Sequence, residues 1–217
     1  MRNISGHYLG ERGKDYVSSH GFQAHGPGRA WQCGRYFAPH VRPEDVVLDL
    51  GANDGFMLSL LDCAKRIGIE VNPHSRALAP AGVEMHEDFS AIPDSSIDVV
   101  ISNHCLEHIP MPLQALGEIS RVLKQGGKLV LVTPVDDMHK PWAPGDPDNH
   151  LHTWTPLNIG NLLTEAGFTV QSVQLCRTAW SPKLFPLLRF EAAFRMAAAI
   201  LSRIKRRQEV CAVAIAK

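Results

Sequence analysis

Short apolar runs recur along the chain and alternate with segments of helical spacing. Most runs are rich in valine, isoleucine and leucine, which is typical of strands buried on both faces of a parallel sheet. In chain order they are DVVLDLG from Asp45, RIGIEV, GVEMHE, IDVVIS and GGKLVLVTP. The segments between them are DGFMLSLLDCAKR, NPHSRALAPAG and MPLQALGEISRVLKQGG, the last closed by Gly126 and Gly127. This alternation predicts an α/β fold with a doubly wound, Rossmann-like parallel sheet.

A long loop, DDMHKPWAPGDPDNHLHTWTP, opens the second half of the chain. Its length and its proline, aspartate and histidine content are typical of a functional loop rather than a simple connection. The helix TPLNIGNLLTEAG follows, with Thr155 predicted as N-cap, Pro156 at the first helical position and Gly167 after its end. Two further strands are predicted, FTVQSVQLCR and, at the end of the chain, EVCAVAIAK.

An insertion of amphipathic character separates these last two strands. Apolar residues at helical spacing form one predicted stripe, Phe190, Phe194, Ala197, Leu201 and Ile204. The basic residues Arg189, Arg195, Arg203 and Arg206 fall on other faces. We expect this helix to be a lid over the acceptor. The alternative is a peripheral membrane contact through residues 184–207, helped by the basic cluster from Arg203 to Arg207.

Charge and cysteine content limit the classes of partner. Lysine plus arginine and aspartate plus glutamate are balanced at 22 each, so no global field attracts the protein to nucleic acid or anionic lipid. The five cysteines are scattered without a C-x-x-C pair, which indicates reduced thiols in a cytosolic compartment. The N-terminal residues have no apolar leader character and no long apolar run occurs, so we expect a soluble, cytoplasmic protein.

The turn after the first strand, in VVLDLGANDG, carries the strongest signal for a ligand site. In a doubly wound sheet the ligand lies at the carboxyl ends of the strands, where this turn approaches it. Gly51 and Gly55 permit a tight backbone, and Asn53 tolerates a positive φ. The dinucleotide fingerprint G-x-G-x-x-G is absent, which argues against a pyrophosphate. Glu70, at the end of the second strand, is placed for ribose hydroxyls, so the pattern indicates a nucleoside ligand without a diphosphate.

With these residues the chain resembles the class I S-adenosylmethionine-dependent methyltransferases, and among them the small UbiE/UbiG-like group. The resemblance covers roughly residues 40–177 and the last strand. It rests on the ordered segments LDLGANDG, GIEVNP, HEDFSAIP, IDVVISNHCLEHIP, LKQGGKLVLVTP and WTPLNIGNLLTEAGFTV. It implies a seven-stranded, mostly parallel sheet with an antiparallel last strand, and S-adenosylmethionine as the cofactor.

The resemblance also implies roles for particular residues and a division of the chain. Asp49 and the backbone around Gly51 would hold the methionine end, Glu70 the ribose, and Asp88 and Phe89 would border the adenine. The full set expected at the cofactor is Asp49, Gly51, Asn53, Gly55, Glu70, Val71, Asp88, Phe89 and Asn103. We expect a single domain over 1–217, with an N-terminal cap or lid at 1–40, the core at 41–177 and 208–217, and the inserted lid at 178–207.

Ordinary structural roles are the alternative for several of these positions. Asp49 could cap its own turn, Glu70 could be a solvated strand end, and Asp88 could be a plain helix N-cap. The occurrence of all these motifs in order favours the functional interpretation.

Four histidines are candidates for a general base. Methyl transfer is an in-line displacement, so alignment of the reactants matters most, but a hydroxyl acceptor must also lose a proton. A histidine suits that role because its pKa is near neutral. His104 is the first candidate, because it follows the fourth strand directly, and His150 and His152 in the long loop come second. His108 lies on the same side of the sheet.

A divalent metal is a minority alternative for the segment SNHCLEHIP. Two branches of the family, the ubiquinone-pathway O-methyltransferases and the small-RNA 2′-O-methyltransferases, bind an ion through a Glu-x-x-Glu-His sequence here. In this chain the set is His104, Glu107 and His108, which share one face if the turn is helical, with His152 as a fourth ligand. Two imidazoles and a carboxylate suit a transition metal better than magnesium. The main expectation is that no metal is bound and that Glu107 and His108 serve packing.

The acceptor is specified least. The segment HLHTWTPLNIGNLL and the inserted helix resemble methyltransferases of bacterial polysaccharide pathways. Three aromatic residues could stack on a sugar or a small aromatic ring, or could belong to the core: Trp142, Trp154 and Trp180. We expect O-methylation of a small-molecule or saccharide acceptor. A nucleic-acid methyltransferase and a non-catalytic cofactor-binding protein are the alternatives, and the zero net charge counts against the first. The sequence does not specify an oligomeric state.

Overall fold

A seven-stranded sheet forms the centre of the protein, whose computed structural model describes residues 6–20, 25–137, 139, 141–146, 148–177 and 179–217. The strands are β1 (Val46–Leu50), β2 (Lys65–Ile69), β3 (Val83–His86), β4 (Ile97–Asn103), β5 (Leu123–Val135), β6 (Thr169–Cys176) and β7 (Gln208–Ile215). Their order is β3-β2-β1-β4-β5-β7-β6. The first five strands are parallel, and β7 lies antiparallel between β5 and β6. The predicted seven-stranded α/β fold with an antiparallel last strand is confirmed.

Helices cover both faces of this sheet. They are α1 (Gly10–His20), α2 (Gly26–Tyr36), α3 (Phe56–Ser59), α4 (Pro73–Arg76), α5 (Pro112–Val122), α6 (Pro156–Glu165) and α7 (Glu191–Lys205). Alternate residues of β1 face opposite layers: Leu48 and Leu50 pack in the core with α5 and α6, whereas Val47 packs with α2 and α3. This arrangement explains why the strands appear as uninterrupted apolar runs.

Three predicted helices are shorter than their sequences suggest, and one of them, α4, ends at Arg76 after four residues. Helix α3 ends at Ser59, and Arg66 donates to the carbonyl oxygens of Leu58 (3.1 Å) and Leu61 (2.6 Å), which a longer helix would have paired internally. Helix α5 ends at Val122 rather than at the glycines, because β5 begins at the next residue. The glycine pair instead lies at a register shift in the pairing of β4 with β5.

The helix after the long loop begins and ends where the sequence predicts. Thr155 caps it with a capping box shared with Asn158, Pro156 is its first residue, and Gly167 follows its end with φ of 91°. The predicted cap, first position and terminating glycine of α6 are therefore confirmed.

The insertion forms a 3₁₀ helix (Pro182–Arg189) and then α7. The face of α7 that is buried carries Phe194, Ala198 and Ser202. The predicted single stripe is wrong in detail, since Ile204 is exposed while Phe194 packs against Trp31 with ring centroids 5.0 Å apart. Within the described residues, no helix is both long and apolar enough to cross a membrane.

Candidate functional site

A cavity of about 900 Å³ opens at the carboxyl ends of the parallel strands. Its walls include the residues that follow β1, β2, β4 and β5, together with parts of the two N-terminal helices and of both ends of the insertion. Cavities of this size commonly bind a cofactor or a small ligand, and this edge of a doubly wound sheet is the expected position for one.

The turn after β1 has the backbone conformation that its sequence predicts. Gly51, Asn53 and Gly55 all have positive φ, at 80°, 52° and 67°. A Cβ atom on Gly51 would lie 2.6 Å from the side chain of Cys105, so only glycine fits there. Gly51 and Asn53 line the cavity. Gly55 was expected at the cofactor but is not in the cavity wall; it precedes α3 as its N-cap residue.

Asp49 places a buried carboxylate at the inner end of the cavity. Its Oδ1 atom has no hydrogen-bond partner among the described residues. Burial raises the pKa of Asp49 to about 7, against the opposing charge of Arg29. An unpaired buried carboxylate is costly, and an ammonium group would both pair with it and restore its charged form. The position therefore fits the amino group of a bound amino-acid moiety.

Glu70 is held rigidly at the end of β2. Its two oxygens accept backbone N–H groups of Asn53 (2.9 Å) and Asn72 (2.8 Å), while burial raises the pKa of the carboxyl above its ordinary value. Each carboxylate oxygen retains a lone pair that can accept a further hydrogen bond. The carboxylate is therefore fixed in place and able to accept from a pair of ribose hydroxyls.

The other residues expected at the cofactor also line the cavity, namely Val71, Asp88, Phe89 and Asn103. Asp88 accepts from the backbone N–H of Ser90 at 2.9 Å, so it is a cap as well as a wall residue. The Oδ1 atom of Asn103 is buried with no partner among the described residues. These unpartnered oxygens and the glycine turn fit a nucleoside carrying an amino-acid group.

The N-terminal helices contribute wall residues that the sequence did not indicate, among them Tyr8, Tyr16, Arg29 and Gln32. Arg29 forms a bidentate ion pair with Asp54 at 2.5 and 3.0 Å. No motif distinguishes these positions, because they belong to helices that precede the first strand. Only their packing over the strand ends brings them to the cavity.

His104 lies at the cavity in a constrained conformation. Its φ is 51°, which is unusual for a residue other than glycine and typical of functional sites. Its Nε2 atom is 3.0 Å from Oε1 of Glu209, a buried residue of β7. Burial acts to lower the pKa of His104, but the hydrogen bond and charge of Glu209 outweigh it and raise this pKa.

Glu209 is itself fixed by two further donors. Tyr36 donates its hydroxyl to Oε2 at 3.0 Å, and Gln32 donates its amide to Oε1 at 3.3 Å. Sequence analysis missed Glu209, which lies at the start of an apolar strand with nothing to mark it as a site residue. Its carboxylate selects the His104 tautomer with hydrogen on Nε2, which leaves Nδ1 as the acceptor nitrogen.

The remaining candidate histidines are divided between the cavity and the core. His108 and His150 line the cavity, whereas His152 is outside its wall, bonded to the carbonyl oxygen of Ile109 at 3.0 Å and stacked on Trp154. Of the three tryptophans considered for stacking, Trp180 alone is a wall residue.

Glu107, His108 and His150 converge, with potential ligand atoms all within 4.8 Å of one another. The segment at Glu107 is a 3₁₀ turn, Leu106–His108, rather than an α-helix. The structure does not bring His104 together with Glu107 and His108: His104 pairs with Glu209, and His150 lies beside the other two. Neither carboxylate oxygen of the buried Glu107 has a hydrogen-bond partner among the described residues, although Nε2 of His108 lies 3.7 Å from Oε1.

This fold and cavity define the class as an S-adenosylmethionine-dependent methyltransferase domain, and comparison with known proteins agrees. The family described as "Methyltransferase domain" matches residues 23–173. The chain belongs to this family.

Individual relatives match over part of their own length. A Mycobacterium tuberculosis protein named a probable S-adenosylmethionine-dependent methyltransferase is 31% identical over 160 residues, which are 68% of this chain and 56% of that protein. The malonyl-[acyl-carrier protein] O-methyltransferase 1 of Coxiella burnetii is 32% identical over 133 residues, 57% of this chain and 46% of the relative. The chain thus spans about half the length of the curated relatives it matches.

A solved structure is similar over the whole chain. The methyltransferase of Haloferax volcanii, determined in complex with the Trm112 methyltransferase activator, superposes with a TM-score of 0.65 at 17% identity, covering 100% of this chain and 99% of that one. At this identity the similarity establishes the fold. The cofactor, S-adenosylmethionine, follows from the family match and from the Mycobacterium tuberculosis relative, and the geometry of Asp49 and Glu70 fits it.

Proposed function

We propose that the protein transfers the methyl group of S-adenosylmethionine to a hydroxyl oxygen of a small molecule, with His104 as the general base. The single observation that carries the proposal is the pairing of His104 with the buried carboxylate of Glu209 at 3.0 Å. A carboxylate on one imidazole nitrogen makes the other nitrogen a better proton acceptor and fixes the orientation of the ring.

The residues of the chain have distinct parts in this reaction. When bound, S-adenosylmethionine supplies a sulfonium methyl group that passes to the acceptor oxygen in one displacement, with sulfur as the leaving group. Asp49 would hold the amino group of its methionine moiety, and Glu70 would hold the ribose hydroxyls. His104 takes the hydroxyl proton at Nδ1, and Glu209 stabilises the imidazolium that forms. The aromatic residues Tyr8 and Tyr16 at the cavity wall limit the access of water.

The name of the Coxiella relative supports oxygen as the methylated atom, since that protein is an O-methyltransferase. The prediction of a saccharide acceptor receives no support from the relatives named above. A nucleic-acid acceptor has no support from them either. We therefore propose a small-molecule hydroxyl without specifying its class further.

A screen of hydroxyl compounds with isotopically labelled S-adenosylmethionine tests this proposal. The first measurement is a calorimetric titration with S-adenosylmethionine, since absence of binding would exclude methyl transfer from this cofactor. With an acceptor in hand, His104→Ala should retain cofactor affinity and lose turnover, on the order of a hundredfold or more. His152→Ala is the matched control, because that ring lies outside the cavity wall. If His104→Ala turns over normally while His150→Ala does not, the base is His150.

A second candidate is metal-assisted transfer, favoured by the unpartnered carboxylate of Glu107. The two neighbouring imidazoles are anchored through Nδ1: His108 to the hydroxyl of Tyr8 at 2.8 Å, and His150 to Asp136 at 2.7 Å. Such outer contacts are common around metal-binding histidines, because they leave Nε2 for the ion. Two imidazoles and one carboxylate suit zinc or ferrous iron, and an ion here would lower the pKa of a bound hydroxyl.

Elemental analysis of protein purified without a histidine tag separates the two candidates. Stoichiometric metal that is lost in Glu107→Gln and kept in His152→Ala would establish the site. Turnover abolished by a chelator and restored by zinc would then assign it a part in catalysis. A metal-free protein with full, chelator-resistant activity would leave His104 as the base and remove the metal candidate.

A further inference from the structure

Helix α7 exposes a second apolar face that no described part of the chain covers. Met196, Ile200 and Ile204 follow one another at intervals of four residues, so they share one side of the helix. Their exposed fractions are 65%, 50% and 74%, and Phe190, just before the helix, is 58% exposed. The opposite face, with Phe194 and Ala198, is buried against the domain. Exposed apolar surface of this extent marks an interaction site.

Basic residues are concentrated in the segment that carries this face. Residues 182–207 contain seven lysines and arginines and a single acidic residue, Glu191, although the whole chain is balanced at 22 of each sign. The seven are Lys183, Arg189, Arg195, Arg203, Lys205, Arg206 and Arg207, all of them exposed. None of the seven forms an ion pair within the described part of the chain. Positive charge is thus concentrated at the apolar face.

From these two features we propose that the segment 182–207 docks on the surface of an anionic lipid membrane. Apolar side chains on one side of a helix with basic residues around them match the boundary between anionic headgroups and acyl chains. Charge complementarity selects this partner over a second copy of the chain. A symmetric dimer through the same face would bring the two sets of seven cations together.

The position of the segment gives the docking a consequence for the site. Pro182, where the segment begins, and Lys205, Arg206 and Arg207, where it ends, belong to the cavity wall. Docking would therefore place the mouth of the cavity beside the bilayer, where an acceptor carried on a lipid could enter. The docking itself does not depend on the proposed methyl acceptor.

Co-sedimentation of the full chain with vesicles tests the proposal without any methyl transfer. We expect binding to vesicles of phosphatidylcholine mixed with phosphatidylglycerol, little binding to pure phosphatidylcholine, and release by high salt. The variant Met196→Gln/Ile200→Gln/Ile204→Gln should bind at least about tenfold more weakly. The control Leu78→Gln/Leu157→Gln changes residues that are 55% and 75% exposed elsewhere and should bind normally.

A second pair of variants tests the charges. Arg195→Gln/Arg203→Gln should lower the partition coefficient roughly thirtyfold, while Arg12→Gln/Arg42→Gln, outside the segment, should not. Absence of binding to the anionic vesicles at low salt would overturn the proposal, as would equal binding to neutral vesicles. A dimer that the apolar variant dissociates, without vesicle binding, would assign the face to a second copy. Binding to duplex DNA but not to vesicles would overturn it in favour of nucleic acid.

Discussion

Replacing Glu209 by glutamine isolates the electrostatic contribution of one carboxylate to His104. Glutamine keeps the size of the side chain but carries no charge, and its single amide oxygen can accept at only one of the two positions where Tyr36 and Gln32 donate. A hydrogen bond to a charged partner contributes about 1.5–3 kcal/mol and a neutral one about 0.5–1.5 kcal/mol, so their difference is about 1 kcal/mol. Since the His104 side chain is 38% exposed, solvent screening makes this an upper value.

The sign of the effect follows from the charge. Glu209 favours the imidazolium form, so its carboxylate raises the pKa of His104 and glutamine should lower it. Titration of ¹⁵N-labelled histidine by NMR measures this directly, with the His104 resonance identified by its loss in His104→Gln. Tyr36→Phe is the control, because it removes a donor to Glu209 but keeps the charge.

When an acceptor substrate is available, Glu209→Gln should also change the rate of methyl transfer. The acidic limb of the profile of kcat/KM against pH should move to lower pH, since His104 must lose its proton before it can act as a base. The maximal rate should fall by up to about fivefold, the factor that corresponds to about 1 kcal/mol. A His104 pKa that is unchanged or raised in Glu209→Gln would refute the assignment of Glu209 as a positioning residue.

Three further predictions concern the cofactor turn and the fold. Asp49→Asn should weaken S-adenosylmethionine binding by about thirtyfold in calorimetry, because a buried charged partner of the ammonium group is lost, and an unchanged affinity would contradict that role. Gly51→Ala should lower both the melting temperature and the cofactor affinity, since its Cβ would clash with Cys105. Gly82→Ala is the control, because Gly82 has a similar φ and open space around it, and an equal fall in melting temperature in both variants would exclude the clash as the cause. Thr155→Ala should destabilise the protein by about 1 kcal/mol in urea unfolding, and no loss would mean that the capping box contributes little.

The position of the turn after β1 and of Glu70 at the cavity wall could be predicted from the sequence because it is local. Gly51, Asn53 and Glu70 lie directly after buried strands, and in a parallel sheet the ends of those strands meet at one edge. The conformation of the turn follows from residue types that accept positive φ. No long-range information is needed for these positions.

The pairing of His104 with Glu209 could not be predicted, because it depends on strand pairing over long range. Glu209 lies 105 residues after His104 in the chain, and it reaches His104 only because β7 pairs with β5. The buried face of α7 has a similar cause. Alanines make several faces of that helix comparably apolar, and the contact of Phe194 with Trp31 decides which one is covered.

The placement of β7 also has a consequence for the order in which the protein assembles. This strand is the last in the chain but lies between β5 and β6, so it must enter the sheet after both have been synthesised. The strands that flank the turn after β1 all precede β5 in the chain, whereas His104 obtains its carboxylate only when β7 is in place. During synthesis, the residues of that turn are therefore present well before His104 can acquire its partner.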